Sequence, residues 1–192
     1  MKTEIIFLLD RSGSMSGLEG DTIGGFNALV NKQCRLRGET TLTTVLFDHQ
    51  YELLWNGIDA REVRLTEKDY FVRGSTALLD AIGKTIMDVS YRLSNTKPED
   101  RADNVLFVIT TDGFENASRQ YNYRQVKKMI VDQQKNHGWE FIFLGANIDA
   151  AREAGSLGIQ VENSFTFEAT DSGVEAMYDV IHEELSMRRV EE

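Results

Sequence analysis

Two stretches of the chain stay apolar without a break and then stop on a carboxylate. Ile5 to Leu9 runs straight into Asp10, and the run from Asn104 to Thr111 ends at Asp112. A strand with one wet face alternates apolar and polar residues, whereas a strand covered on both faces reads as a continuous apolar run. The pattern therefore predicts central, buried strands over 3–9 and 104–111. Trp139 to Leu144 predicts a third buried strand ending at Gly145. Thr40 to Phe47 is apolar and β-branched, and Tyr51 to Trp55 follows after only Asp48-His49-Gln50. A connection that short joins only antiparallel neighbours, so this hairpin predicts one antiparallel edge strand. Asn56-Gly57 is expected to end it, and Ser164 to Phe167 adds a short strand at the other edge.

Between the strands the spacing changes from continuous to helical. Residues 17–36 place Ile23, Phe26, Leu29, Val30 and Cys34 on one face. Gly24 and Gly25 weaken this helix, which implies a close approach to the sheet or to the loop after the first strand. Leu79, Ile82, Ile86, Val89 and Leu93 recur as an amphipathic stripe. A helix over 119–137 turns Val126, Met129 and Ile130 inward and stops at Gly138. Residues 147–155 predict a short helix and 58–65 a weak helical turn. Asn95 to Asp100, with the only proline, Pro98, reads as a polar loop. The last helix spans 172–188, with Ser172 and Glu175 as a capping box and Val174, Met177, Tyr178, Ile181 and Leu185 facing inward. Such alternation predicts an α/β, doubly wound, Rossmann-like three-layer sandwich with a mostly parallel six-stranded sheet. No linker or repeat interrupts it, so residues 1–192 read as a single domain.

Composition narrows the function classes. The formal net charge of the 192 residues is -10, which argues against direct nucleic-acid binding and against docking on an anionic membrane. Cys34 is the only cysteine, so no disulfide can form within the chain, as suits a reducing compartment, and it is expected to be buried. The five apolar residues before Asp10 are too few for a secretion signal core. No stretch approaches the roughly 18 apolar residues of a membrane-spanning helix. A cytoplasmic location is the expectation.

In doubly wound sheets ligands gather at the carboxyl ends of the strands, where Asp10 and Asp112 are placed. Asp10-x-Ser12-x-Ser14 offers a carboxylate and two hydroxyls from one turn. Thr76 offers another hydroxyl at the start of a helix, and Asp112 a second carboxylate from the next strand. Hard divalent cations such as Mg²⁺ prefer oxygen ligands, and a set without nitrogen or sulfur disfavours zinc and copper.

Asp10-Arg11-Ser12-Gly13-Ser14-Met15, Gly74-Ser75-Thr76 and Thr111-Asp112-Gly113 together resemble the metal-ion-dependent adhesion site of von Willebrand factor type A domains, and the resemblance covers essentially the whole chain. It implies that fold and a metal site at Asp10, Ser12, Ser14, Thr76 and Asp112. It also implies a divalent cation, Mg²⁺ foremost with Mn²⁺ or Ca²⁺ as alternatives. Ser12 and Ser14 would contact the cation directly, and Thr76 directly or through water. Asp10 and Asp112 would act often through water while orienting the hydroxyls. Carboxylates standing back leave the ion much of its charge. An open position would then take an Asp or Glu carboxylate of a partner protein. The resemblance thus implies a docking module rather than an enzyme, of the kind found in intracellular assemblies.

Two alternatives stand beside this reading: a metal-dependent hydrolase or phosphatase on a doubly wound fold, and a scaffold with a vestigial site. Dehalogenase-type phosphatases carry a second aspartate two residues after the first, where this chain has Ser12. Gly13-Ser14-Met15-Ser16-Gly17 has Met15 where a serine hydrolase needs its nucleophile. No dinucleotide-binding glycine motif follows the first strand, and no P-loop lysine is present. His49, His137 and His182 are scattered and read as ordinary surface or satisfied histidines. Asp80 is expected to play a local polar role on its helix. Glu115 and Asn116 read as solvated loop residues, with a partner-selecting rim as the alternative. The acidic end Glu191-Glu192 reads as solvated.

Overall fold

The computed structural model describes residues 1–189. The strands are β1 (Lys2–Asp10), β2 (Glu39–Phe47), β3 (Tyr51–Asp59), β4 (Asn104–Asp112), β5 (Glu140–Ala146) and β6 (Ser164–Thr166). They form one six-stranded sheet in the order β3-β2-β1-β4-β5-β6, parallel throughout except for the β2–β3 hairpin. The helices are α1 (Glu19–Gln33), α2 (Leu78–Ser94), α3 (Tyr123–His137), α4 (Ala150–Ser156) and α5 (Asp171–Arg188). The α/β, doubly wound expectation holds, including the single antiparallel edge.

The alternation of side chains along β1 divides the core in two. Ile5, Phe7 and Leu9 point to one face, where α1 supplies Phe26 and Leu29 and α5 supplies Val174, Met177 and Ile181. Ile6 and Leu8 point to the other, against Leu78, Ile82 and Ile86 of α2, Val126 and Ile130 of α3 and Ala154 of α4. Both faces of β1 are thus sealed, which is why its sequence does not alternate. Each fully buried Leu, Ile or Phe contributes about 1.5–3 kcal/mol. Phe26 also meets the Phe7 ring edge-on at 5.3 Å.

The chain winds outward from β1 to β2 and β3, then crosses back to lay β4 on the other side. The reversal falls between β1 and β4, where an open α/β sheet leaves a crevice. Leu9 pairs with Thr110, so β4 continues past that pair and brings Asp112 alongside the end of β1.

Several local expectations are corrected. β3 does not stop at Asn56-Gly57. Gly57 adopts a left-handed φ of 68°, its N–H donates to Thr43 Oγ1 at 2.9 Å, and pairing resumes at Ile58 opposite Leu42 beyond a register shift. The expected turn at 58–65 is a short 3-10 helix at Ala60–Glu62. α3 starts at Tyr123 rather than 119, with the capping box at Asn122 and Gln125. α5 is capped by Thr170 Oγ1, which accepts from Gly173 N–H at 3.0 Å, not by Ser172 and Glu175. Gly138 does stop α3, at φ 66°. The close approach implied by the α1 glycines is to α5: a Cβ on Gly25 would lie 2.3 Å from the Tyr178 ring. Nothing crowds Gly24. Cys34 is half-buried at the end of α1 rather than buried. No helix among the described residues is long and apolar enough to cross a membrane. Glu191-Glu192 lies outside the described residues.

Candidate metal centre

β1 delivers Asp10 to the crevice, and its carboxylate ties the surrounding segments together. Oδ1 accepts from Ser12 N–H at 2.7 Å. Oδ2 accepts from Asp112 N–H at 2.9 Å and from the Thr111 hydroxyl at 3.0 Å. Both oxygens are therefore engaged, and Asp10 orients the serine loop and the end of β4. Ser12 Oγ and Ser14 Oγ are 3.3 Å apart, and Ser14 Oγ donates to the Asp112 carbonyl at 2.9 Å. Ser12 is buried and Ser14 exposed, so the pair spans the boundary between interior and solvent.

The third segment arrives through backbone contacts. Gly13 N–H donates to the Gly74 carbonyl at 3.0 Å and Arg73 N–H to the Arg11 carbonyl at 2.9 Å. Gly74 has φ 66°, and a Cβ there would meet His49 Nδ1 at 2.1 Å, so conformation and space both call for glycine. Two residues on, Thr76 is buried. Its N–H donates to Asn116 Oδ1 at 2.9 Å, and its carbonyl accepts from Asn116 and Ala117 N–H at 3.0 and 3.2 Å. Asp10, Ser12, Ser14 and Asp112 are joined by direct bonds; Thr76 is brought to the same edge by its loop.

Asp112 is the informative member. Oδ1 accepts from the Asn147 amide, whereas Oδ2 is buried with no hydrogen-bond partner. A buried carboxylate oxygen without a donor is costly, about 1–3 kcal/mol or more for a charged group. Burial pushes the carboxyls of both Asp10 and Asp112 above the usual range. For Asp10 the bonds from Ser12, Asp112 and Thr111 oppose the rise; for Asp112 the Asn147 amide on Oδ1 does, with the Ser14 hydroxyl nearby on the Asp112 carbonyl. An adjacent cation acts in the opposite direction. Among the described residues, no three His, Cys, Asp or Glu side chains converge as a metal site, so a cation here would rest largely on hydroxyls. The orphaned Oδ2 and the all-oxygen donor set fit a hard divalent ion.

Sequence reasoning missed the support around the site. Asn147, at the end of β5, holds a left-handed φ of 57°. Asparagine tolerates that conformation better than most residues, the one signal its position offered. Tyr70 Oη donates to the Asp10 carbonyl at 2.7 Å. Arg11, between Asp10 and Ser12, is almost wholly buried. Its Nη1 donates to Glu52 at 2.6 Å, and its Nε lies 3.3 Å from Asp48 Oδ2 without hydrogen-bond geometry. Arg73 Nε donates to the same Asp48 oxygen at 2.7 Å, and the Phe71 ring lies 5.0 and 5.2 Å from the Arg11 and Arg73 guanidinium carbons.

Asp80 has the expected local polar role, accepting from the N–H groups of Arg119, Gln120 and Tyr121 at 2.9 Å each. These bonds hold 119–121 as loop, which delays the start of α3. Glu115 and Asn116 are not simply solvated loop residues, since both bond to the start of the α2 segment. Glu115 accepts from Leu79 N–H at 3.0 Å, and Ser118 Oγ accepts from Asp80 N–H at 2.9 Å. The loop after β4 thus caps the N-terminus of α2, whose own N-cap, Ala77, has no side-chain acceptor. His182 Nδ1 lies 2.9 Å from Gln33 Nε2, far from the serines in sequence and on α5; His137 is in the last turn of α3, and His49 packs over Gly74. Among the described residues none of the three is hydrogen-bonded to Ser12 or Ser14.

The fold and this edge define the class: an α/β domain with the architecture of von Willebrand factor A domains. The vWF domain of the type V pili tip protein Mfa5 from Porphyromonas gingivalis superposes with a TM-score of 0.69 at 12% identity, covering 99% of this chain and 97% of that one. Proximal thread matrix protein 1 from the mussel byssus superposes with a TM-score of 0.67 at 14% identity over 95% of this chain. A further structure of that mussel protein, described with a zinc-occupied MIDAS motif, gives 0.62 at 13% identity. The chain spans under half the length of the mussel protein, 46% and 45% in the two comparisons. No protein-family model and no curated protein matches the sequence.

Proposed function

We propose that this chain is a metal-dependent protein-docking module. Ser12, Ser14 and Thr76 would hold a divalent cation with Asp112, and Asp10 would orient the hydroxyls. The orphaned, buried Oδ2 of Asp112 carries the reading, because a cation supplies the charge that no protein donor provides. Bound there, the ion would offer an electropositive position for an anionic oxygen from outside, here an Asp or Glu carboxylate of a partner protein. Mg²⁺ is favoured by the hard, hydroxyl-rich set. The zinc-occupied motif of the mussel protein supports divalent binding on this fold in general. Docking is favoured over hydrolysis because no histidine is hydrogen-bonded to either serine among the described residues, Asp10 is spent on orienting its neighbours, and Ser14 Oγ donates to the Asp112 carbonyl. We place the protein in the cytoplasm on the strength of its single cysteine.

The test is calorimetric titration of the protein with Mg²⁺ and Mn²⁺, followed by affinity capture with and without chelator. Wild type is expected to bind the ion, Asp112→Ala and Ser12→Ala/Ser14→Ala to lose it, and captured partners to be released by EDTA. Equal binding by wild type and the variants would sink the metal site. Turnover of phosphate or carboxyl esters that Ser14→Ala abolishes would replace docking by hydrolysis.

A further inference from the structure

Beside the candidate metal centre lies an open groove of about 710 Å³ between the loop after β4, α3 and α4. Phe114 forms one wall and is 67% exposed, a large apolar side chain left in water. Arg124, Lys127 and Arg152 line the rest. Among the described residues, none of these three cations has a side-chain hydrogen bond or ion pair. The two carboxylates in the groove are held by neutral donors within its own lining, Asp149 by Arg152 N–H at 3.1 Å and Glu153 by Tyr123 Oη at 2.6 Å, so three cations against two carboxylates leave the groove with a net positive charge. In a chain of net charge -10, a groove of net positive charge with three unpaired cations and an exposed ring runs against the general field.

Its position links it to the edge of the sheet. Phe114 is two residues past Asp112, and Asp149 two past Asn147, which donates to Asp112. Two residues span at most about 7 Å, so the groove begins next to the Asp112 carboxylate. We propose that it receives the part of an acidic partner peptide flanking the carboxylate that reaches the metal. An apolar side chain of the peptide lies on Phe114, and further Asp or Glu residues meet Arg124, Lys127 and Arg152. This rests on the docking reading above. Locally positive charge would also solve a problem of approach, since the acidic surface as a whole repels an acidic partner.

The probe is a short fluorescein-labelled synthetic peptide of alternating aspartate and leucine, read by anisotropy in Mg²⁺ and in EDTA. Its alternating asparagine–leucine counterpart is the control. All three cations are exposed, so Arg124→Gln/Lys127→Gln/Arg152→Gln is expected to melt like wild type and to bind Mg²⁺ equally. Peptide affinity in Mg²⁺ should fall about tenfold in that variant and several-fold in Phe114→Ala, and the loss should shrink at high salt. An effect of EDTA without an effect of either variant would overturn the groove and leave metal docking standing. Loss in the variants without an effect of EDTA would do the reverse. Failure of wild type to bind the peptide in Mg²⁺, or equal binding of the asparagine counterpart, would overturn the proposal. Tighter binding of a labelled oligothymidylate, lost in the triple variant, would make the groove a nucleic-acid surface instead.

Discussion

The site's chemistry is decided by which oxygen atoms already have partners. Asp10 spends both oxygens on its neighbours, whereas Asp112 keeps one in reserve. The two should respond differently to mutation. Asp10→Ala removes the acceptor for three donors and is expected to cost about 2–4 kcal/mol in chemical denaturation, because buried N–H groups are left unpaired. Asp112→Asn changes little in shape and should leave the metal-free fold intact while abolishing calorimetric Mg²⁺ binding. If the two substitutions destabilise the fold alike, this division of roles is wrong.

The same two carboxyls set a pH dependence. Burial raises both above their unfolded values, so the metal-free native state holds more protons than the unfolded state between the unfolded and the raised folded pKa. Across that window these groups lower stability as pH rises. A cation selects the deprotonated forms. The rise in melting temperature on adding Mg²⁺ should therefore be larger at neutral pH than in mild acid. A shift independent of pH would mean that neither carboxylate takes part.

Among the elements, the loops do the positioning. Gly74 holds a left-handed φ under the His49 ring and passes its carbonyl to Gly13 N–H. Gly74→Ala should cost about 1–2 kcal/mol from the backbone conformation and the clash together. It should also weaken metal binding, since Thr76 follows two residues later. Adding His49→Ala should recover only the part due to the clash; full recovery would show that conformation is immaterial. The loop after β4 acts similarly on α2. Glu115→Ala leaves Leu79 N–H and two loop N–H groups without an acceptor, and should cost about 1–2 kcal/mol in thermal or urea unfolding. No change would mean water replaces the cap.

For the molecule as a whole, the fold was legible and part of its wiring was not. Strands sealed on both faces advertise themselves as unbroken apolar runs, and three residues between Phe47 and Tyr51 leave no choice but a hairpin. Residues 119–121 belong to a helical pattern yet stay outside α3, because a carboxylate distant in sequence, Asp80, takes their N–H groups. Glu115 and Asn116 could be read only as loop residues, since their partners on α2 and at Thr76 lie some forty positions earlier. Asn147 carries no motif, and its bond to Asp112 exists only because β4 and β5 are neighbours.

The amino-acid order by itself determined the alternation of strands and helices, the antiparallel edge, and the placing of Asp10, Ser12, Ser14 and Asp112 at strand ends, because these depend on local periodicity and on connection length. Tertiary structure decided which carboxylate oxygen is left unpaired, which loops hold Thr76 and the start of α2, and that three unpaired cations and Phe114 share a groove beside the site. Those are pairings across the sheet and between loops. They depend on which elements become neighbours, and no local pattern in the chain records them.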